Sequence, residues 1–351
     1  MLACDKTDDR SGAAWQTVLE PFANLELVVS DGALGIAAGV QGVVSARSEA
    51  GSAVPLEHGL DVFHTNKEAR GVLAGPWRRA EAAWEEGEAA DAKVSECKRK
   101  GEHAHSAAGR ARHVWDQAAR VLAEVERPEA AWQRARAALA VFRPDGTLNE
   151  RAWAEAEIEA ALLELHGPEW KKTRNFLKDR RALTFLDRLH RRLAAAEPDA
   201  AMRRMCVHRW WLRHRALPAN VPPPTALEQV QALLDAKIRD GELTAAEQAA
   251  YGRVAAVLWT TVRASSAVEG INSVLRMQQG RHRKMTQGLL DLKRLYWNCR
   301  KLQTGKRRGH SPYELLGVSL PSIDFWTLLS GPLRPLAQQP PEKVSGSGAT
   351  E

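Results

Sequence analysis

The feature that most constrains this fold is a long region, from about residue 67 to residue 215, in which large apolar residues recur every three or four positions. Apolar residues at this spacing share one face of a helix, so the pattern predicts long helices packed through coiled-coil-like seams. Each of the four seams contains a tryptophan. They are Leu73/Trp77/Ala80/Trp84, Trp115/Ala118/Leu122/Val125, Trp132/Ala135/Leu139/Phe142 and Trp153/Ala156/Ala160/Leu163.

Glycine and proline divide this region. Breaks predicted at Gly101, Pro128, Pro144 and Gly167 separate a helical hairpin from a helical bundle. Most of the tryptophans are expected to anchor the core, because large aromatic rings dominate core packing. An adjacent pair, Trp210 and Trp211, lies among basic and histidine residues and is the best candidate for stacking on an unpaired base.

The first 66 residues show a different pattern. Leu25 to Val29 is a compact apolar run that predicts a buried strand, and Asp31 lies at the carboxyl end of that strand. Residues 33–46 are predicted to be helical, and residues 60–63 to form the next strand, ending at His64. This order indicates an α/β layer with a parallel sheet. Two simpler interpretations stay open: Asp31 belongs to a turn that ends a strand, and His64 is a hydrogen-bonded residue at the edge of the core.

The C-terminal third is strongly basic. Residues 276–308 hold eleven Lys and Arg against one acid, Asp291, in a chain whose net charge is +7. Just before this segment, Glu269 shares one predicted helix face with Asn272, Ser273 and Arg276. A carboxylate beside a long basic segment suits a divalent metal next to a phosphate backbone. The alternative is a capping box, in which Glu269 bonds back to the amide of Ser266.

Two stretches carry a resemblance to a known family. SSAVEGINSVLRMQQGRHRK and QGLLDLKRLYWN, followed by TGKRRGHSPYELLG, resemble the C-terminal end of DDE-type transposases of bacterial insertion sequences over about 60 residues. VVSDGALGIAAGV, followed by GLDVFHTNKEA, resembles the strand that bears the second catalytic Asp in the same family. The resemblance implies an RNase H-like catalytic core that cuts and joins DNA.

The resemblance also implies roles for individual residues. Asp31 and Glu269 become the second and third catalytic carboxylates, and both become ligands of Mg²⁺ or Mn²⁺. The implied partners are DNA, as element ends and target, and further copies of the chain assembled on DNA. The residues expected to contact DNA are Asn272, Arg276, Arg281, Arg283, Lys284, Lys293, Arg294, Arg300 and Lys301.

The first catalytic Asp of the family has no counterpart in this sequence. Asp5, Asp8 and Asp9 precede Asp31, but no apolar strand pattern surrounds any of them. We therefore expect an N-terminally truncated transposase that is catalytically incomplete, with a two-metal site only where the missing Asp is supplied.

The expected fold class is a partial α/β RNase H-like core interrupted by a large all-helical insertion, with the chain predominantly α overall. The expected domains are a partial core at 1–66, a helical insertion at 67–250, the C-terminal part of the core at 251–330 and a disordered tail at 331–351. The proline-rich segment 217–225 is expected to be an extended linker. Thr244 and Glu247 are expected to form a capping box that opens a helix.

The expected function is that of an insertion-sequence transposase fragment. The alternatives are a non-catalytic DNA-binding or regulatory helical protein, and a helical scaffold whose charges are a solvated face. The four cysteines lie far apart without a paired motif, which fits a reducing cytoplasm, and a bacterial, nucleoid-associated location is expected. No apolar run approaches the ~20 residues of a membrane span.

Overall fold

The structure is a computed structural model that describes residues 9–52, 54–214, 243–263, 286–303, 308–315, 317–318 and 324–330. The chain divides into two compact units. The larger unit spans Ser11–Ser266, and the smaller unit comprises Met1–Arg10 and Ala267–Glu351. The tail 331–351 and the linker 217–225 lie outside the described residues.

The described part of the chain is predominantly helical, as the sequence predicts. Its strands are Leu27–Ser30 (β1) and Glu57–Leu60 (β2). Its helices in the larger unit are Gly12–Leu19 (α1), Leu34–Glu49 (α2), Val62–Lys100 (α3), His105–Ala138 (α4), Arg151–Leu162 (α5), Lys171–Lys178 (α6), Thr184–Ala196 (α7), Ala200–His214 (α8) and Ala245–Trp259 (α9). Those in the smaller unit are Gln287–Cys299 (α10), Pro312–Leu315 (α11) and Phe325–Ser330 (α12). Short 3₁₀ turns occur at Pro168–Trp170 and Arg180–Leu183.

The sheet has two strands among the described residues, and they are parallel, as predicted. β1 coincides with the predicted apolar strand, and Val28 packs with α1 and α2 around Val40, Val43 and Leu56. α1 and α2 approach closely, because a Cβ built on Gly39 would lie 2.4 Å from Cβ of Trp15. A β1–α2–β2 unit of this kind places the carboxyl ends of both strands at one edge.

The second strand lies earlier in the chain than the sequence predicts. Residues 57–60 form β2, whereas the sequence predicts a strand at residues 60–63. Asp61 is instead the N-cap of α3, where its Oδ1 accepts from the amide of Phe63, so His64 lies in the first turn of a helix. The prediction was wrong because β2 carries the polar residues Glu57 and His58, whose arginine partners lie more than 120 residues away.

α3 and α4 form the predicted helical hairpin. Gly101 ends α3 in the left-handed conformation, at φ 72°, and the amide of Glu102 returns to the carbonyl of Cys97. The break predicted at Pro128 is wrong, because α4 continues through it, and α3 likewise contains Pro76. Each proline removes one helical hydrogen bond, and packing between the two long helices compensates for that loss.

The predicted seams largely form the core of the hairpin. Leu73, Ala80, Ala118 and Val125 are buried, and Trp132 begins a fully buried run through Ala135 and Leu139. The fourth seam is wrong, because Leu163 is 72% exposed. α5 buries Ala154, Ile158 and Ala161 instead.

The tryptophan pair Trp210 and Trp211 lies beside the second core cluster of the bundle, which α7, α8 and α9 build. The ring of Trp210 stacks on Phe142 at 5.4 Å between centroids, and on His214 at 4.6 Å. A Cβ built on Gly146 would lie 2.7 Å from the ring of Trp211. These contacts favour the core-anchor interpretation of the pair. The capping box predicted at Thr244 and Glu247 is confirmed at the start of α9.

Ion pairs join the helical bundle to the sheet. Arg188 and Arg191 of α7 both contact Glu57 of β2, at 3.3 and 2.5 Å, and Arg188 also pairs with Glu26. The hydroxyl of Thr184 donates to the carbonyl of His58. Thr184 also lies beside Gly59, since a Cβ built on Gly59 would lie 4.0 Å from Cβ of Thr184, an ordinary van der Waals distance. α7 therefore packs directly against β2.

We predict that Gly87→Ala lowers the stability of the hairpin. The new Cβ would lie 2.9 Å from ring atoms Cδ2 and Cε2 of Trp115, so the ring must shift. Overpacking of this kind costs about 1–3 kcal/mol. The matched control is Gly71→Ala in the same helix, where no atom lies within 4 Å and a gain of about 0.5–1 kcal/mol is expected. Thermal unfolding followed by circular dichroism measures both, and equal shifts would contradict the close contact.

Candidate functional site

Asp31 occupies the predicted position directly after β1. Its side chain is exposed, and Oδ1 accepts from the amide of Ala33 at 3.1 Å, just before α2 begins. Gly32 has φ 82°, which lets the chain turn sharply from the strand into the helix. The sequence thus located an exposed carboxylate at the carboxyl edge of a parallel sheet.

Asp61 is a second carboxylate at the same edge, and the sequence reasoning missed it. Ser30 and Leu60 are paired in register, so Asp31 and Asp61 each follow directly after a paired residue. The amide of Asp61 donates to the carbonyl of Ser30 at 2.7 Å. The missed signal was the N-cap pattern of an Asp before a long helical run, which the predicted strand at residues 60–63 concealed.

Asp61 forms a close pair with His64. The carboxylate is fully buried, and its Oδ2 lies 2.6 Å from Nδ1 of His64, whose side chain is 38% exposed. Because an ionised carboxylate only accepts hydrogen bonds, Nδ1 of His64 is the nitrogen that donates to Asp61. A carboxylate that orients a histidine in this way fixes its tautomer. The interpretation of His64 as a hydrogen-bonded residue at the edge of the core agrees with this contact.

A second polar network connects the two strands to Arg181 and Asp179. His58 Nε2 lies 2.8 Å from Oγ of Ser30, and its Nδ1 lies 3.1 Å from Nη1 of Arg181. Arg181 in turn makes a bidentate pair with Asp179. Since a guanidinium only donates, Nδ1 of His58 accepts and Nε2 donates to Ser30. Burial, then the charge of Arg181, lowers the pKa of His58, which keeps this ring neutral near pH 7.

The hydroxyl of Ser30 is therefore an acceptor for His58 and for the amide of Gly32, at 3.2 Å. A nucleophilic serine requires the opposite arrangement, with the histidine accepting the hydroxyl proton. This network holds the strand ends in place, and it does not activate Ser30.

The chain returns to this edge at Arg263. Its carbonyl accepts from the amide of Val62 at 3.1 Å, and its Nη1 donates to the carbonyl of Leu139 at 2.9 Å. Arg263 is the last described residue before the segment that contains Glu269, which follows six positions later in the sequence. Glu269 itself lies outside the described residues, as do Asn272, Arg276, Arg281, Arg283 and Lys284.

Four of the residues expected to contact DNA lie on or just after α10 in the smaller unit. Lys293 and Arg294 are in the helix, and Arg294 makes a 3.4 Å ion pair with Asp291. Arg300 and Lys301 follow the helix and are exposed. The guanidinium carbon of Arg300 lies 5.4 Å from the centroid of the Trp297 ring.

The carboxyl edge does not by itself complete a metal site. In the described ranges, no group of three or more His, Cys, Asp or Glu side chains is placed to hold a metal ion. Asp31 is exposed and suits one ligand position, whereas both oxygens of Asp61 accept hydrogen bonds from α3. Asp31 and Asp61 by themselves do not make up a cage for Mg²⁺.

The chain was compared with protein-family models, with curated proteins and with solved structures, and none of the three comparisons found a match. Across the described residues, no helix is both long enough and apolar enough to cross a membrane.

The two strand-end aspartates should differ in their effect on stability. Asp61→Ala removes a buried acceptor of two hydrogen bonds and leaves His64 without its carboxylate, so we expect a loss of about 2–4 kcal/mol. Asp31→Ala removes one exposed bond and should change stability by less than about 0.5 kcal/mol. Urea denaturation of both variants measures the difference, and a loss for Asp31→Ala as large as that for Asp61→Ala would contradict this site geometry.

Proposed function

We propose that this chain is a DNA-binding protein related to DDE-type transposases, with Asp31 and Glu269 as carboxylates of an RNase H-like catalytic centre. The observation that carries the DNA-binding part is the charge of residues 276–308, eleven basic residues against one acid. Phosphate contacts supply most of the affinity of a protein for DNA, and they require clustered Lys and Arg of this kind.

The catalytic part of the proposal draws support from the carboxyl edge. A β1–α2–β2 unit with parallel strands presents the exposed Asp31 at that edge. The segment that leads to Glu269 begins at Arg263, which is hydrogen-bonded to Val62 at the same edge. Ligands and catalytic groups of open α/β sheets gather at the carboxyl ends of the strands.

Metal-dependent cleavage needs several carboxylates around two cations. By the resemblance, Asp31 and Glu269 take the positions of the second and third catalytic carboxylates. The carboxylate of Asp61 is already hydrogen-bonded to residues of α3. The proposed activity of the chain by itself is therefore DNA binding, with strand cleavage and transfer belonging to a form that has a complete metal cage. A role in regulation, by competing for DNA ends, is the second candidate, and the same basic segment favours it.

A salt titration of DNA binding tests the proposal. If roughly six of the basic side chains touch phosphates, log K plotted against log salt should have a slope near −5 on duplex DNA. Replacing Arg281, Arg283 and Lys284 with Ala should weaken binding to all sequences and flatten the slope by up to about 3. Fluorescence anisotropy with a labelled duplex provides the measurement.

The matched control replaces Lys93, Arg110 and Arg112 with Ala, which removes the same charge from exposed positions of the hairpin. This control should leave the slope unchanged. Glu269→Gln should also leave affinity nearly unchanged, because it removes one carboxylate and no phosphate contact. Binding without salt dependence, or a control as damaging as the basic triple variant, would contradict the assignment.

A nicking assay with Mg²⁺ accompanies the titration. We expect no nicking by the purified chain. Robust nicking that Glu269→Gln abolishes would show that another acid of this chain completes the metal site.

A further inference from the structure

The smaller unit contains a pocket whose lining combines aromatic rings with charged groups. Its volume is about 530 Å³, within the range of pockets that take small molecules. The aromatic lining residues are Tyr296 on α10 and Phe325 and Trp326 on α12. The charged lining residues are Arg300, Lys301, Glu314 and Asp324.

Two of the three aromatic residues of this pocket are exposed. Trp326 is 71% exposed and Tyr296 is 45% exposed. Tyr296 meets Phe325 edge to face, with centroids 5.5 Å apart, and Phe325 meets Trp326 at 5.0 Å in a similar arrangement. Edge-to-face contacts favour fixed ring orientations, and Tyr296 and Trp326 keep a large part of their side-chain surface accessible to solvent.

The two carboxylates of the pocket are held in place by local hydrogen bonds. Glu314 accepts from the amide of Ser311 at 2.6 Å, and Asp324 accepts from the amide and the hydroxyl of Thr327, both at 2.9 Å. These bonds, with the backbone amides as the largest cause, hold the pKa of both carboxyls below their usual range. The pocket therefore presents fixed anionic acceptors at neutral pH.

The lining therefore combines two cations and two anions with exposed ring faces. A purely anionic ligand would be attracted by Arg300 and Lys301 but repelled by Glu314 and Asp324, so the balanced charges of the lining give it no net attraction. A nucleobase suits the lining better, because every base has a flat face for stacking and carries at least one N–H donor for a carboxylate. Arg300 and Lys301, exposed at the end of α10, suit the phosphates on either side of that base.

We propose that this pocket binds an unpaired base of single-stranded DNA, with stacking on Tyr296 and Trp326 and phosphate contacts from Arg300 and Lys301. In a duplex, base faces are stacked and base edges are paired, so the pocket distinguishes single strands from duplexes. This inference rests on the proposed function, because it assigns the form of DNA that one part of the basic segment contacts.

The test compares single-stranded and duplex DNA at the same salt concentration with the full chain. The variants are Tyr296→Leu and Trp326→Leu, which keep apolar bulk and remove the aromatic face. Each should weaken binding of a labelled oligothymidylate roughly 5- to 100-fold, the range for losing one base–aromatic stack. Each should change duplex affinity less than about twofold. Tyr296→Phe and Trp326→Phe keep a ring and should restore single-strand binding.

Trp84→Leu is the matched control. Trp84 is also an exposed tryptophan, at 48%, and it lies on the hairpin in the other unit. This variant should bind both forms of DNA as the unchanged chain does. A loss of single-strand affinity in Trp84→Leu equal to that in Trp326→Leu would overturn the assignment of the pocket.

A measurement on the unchanged protein covers the case in which a Leu variant does not fold. A single strand whose central bases are replaced by abasic sites keeps all its phosphates and offers nothing to stack. Its affinity should fall by a similar factor relative to the intact strand. Equal affinity for the two strands would overturn the inference.

The remaining outcomes separate this inference from the proposed function. If the Leu variants lower single-strand and duplex affinity equally, or if they lower neither affinity, the pocket does not stack bases, but the proposal that the chain binds DNA is retained. If they instead change the oligomeric state measured by light scattering, with single-strand affinity unchanged, the aromatic surface is a protein contact and the inference fails. If the chain binds no DNA at all, both fail.

Discussion

The arrangement of the larger unit depends on the hydrogen bonds that the buried carboxylate of Asp61 accepts. It lies where β2 ends and the 39-residue helix α3 begins, and it accepts hydrogen bonds from Phe63 and His64 in the first turn of that helix. Backbone hydrogen bonds at Asp61 and Val62 strengthen this connection. The amide of Asp61 donates to the carbonyl of Ser30, and the amide of Val62 donates to the carbonyl of Arg263. One turn of chain therefore joins the sheet, the long hairpin and the segment that leads to the basic region.

Ion pairs and a hydrogen bond from the helical bundle also hold the sheet in place. Arg188 and Arg191 reach Glu57 of β2, and Arg181 reaches His58, so both polar residues of a four-residue strand are paired with the helical part. A two-stranded sheet has little stability by itself in water. Its strands hold their register here because α2 and α7 pack against β2 and Val28 of β1 packs on the cluster of α2, and that register brings Asp31 and Asp61 to one edge.

The sequence predicted those parts of the structure that depend on local pattern. The apolar run before Asp31 formed β1, the hairpin turned at Gly101, and the capping box at Thr244 began α9. The failures have a common physical cause, which is distant packing. β2 is stabilised by arginines that lie far along the chain, and α4 continues through Pro128 because it packs along α3. In α5, the neighbouring elements bury Ala154, Ile158 and Ala161 rather than the predicted seam. Asp31 was found from a strand-end pattern, whereas Asp61 was hidden by a strand placed three residues too late.

We propose that the smaller unit, which carries the basic segment, contacts DNA and that the hairpin of α3 and α4 does not. Hydrogen–deuterium exchange of the full chain, with and without DNA, distinguishes these parts because it reports on each segment separately. We expect DNA to slow exchange in α10 and in residues 300–303 and to leave exchange in the hairpin of α3 and α4 unchanged. Protection confined to the hairpin, with none in α10, would contradict it.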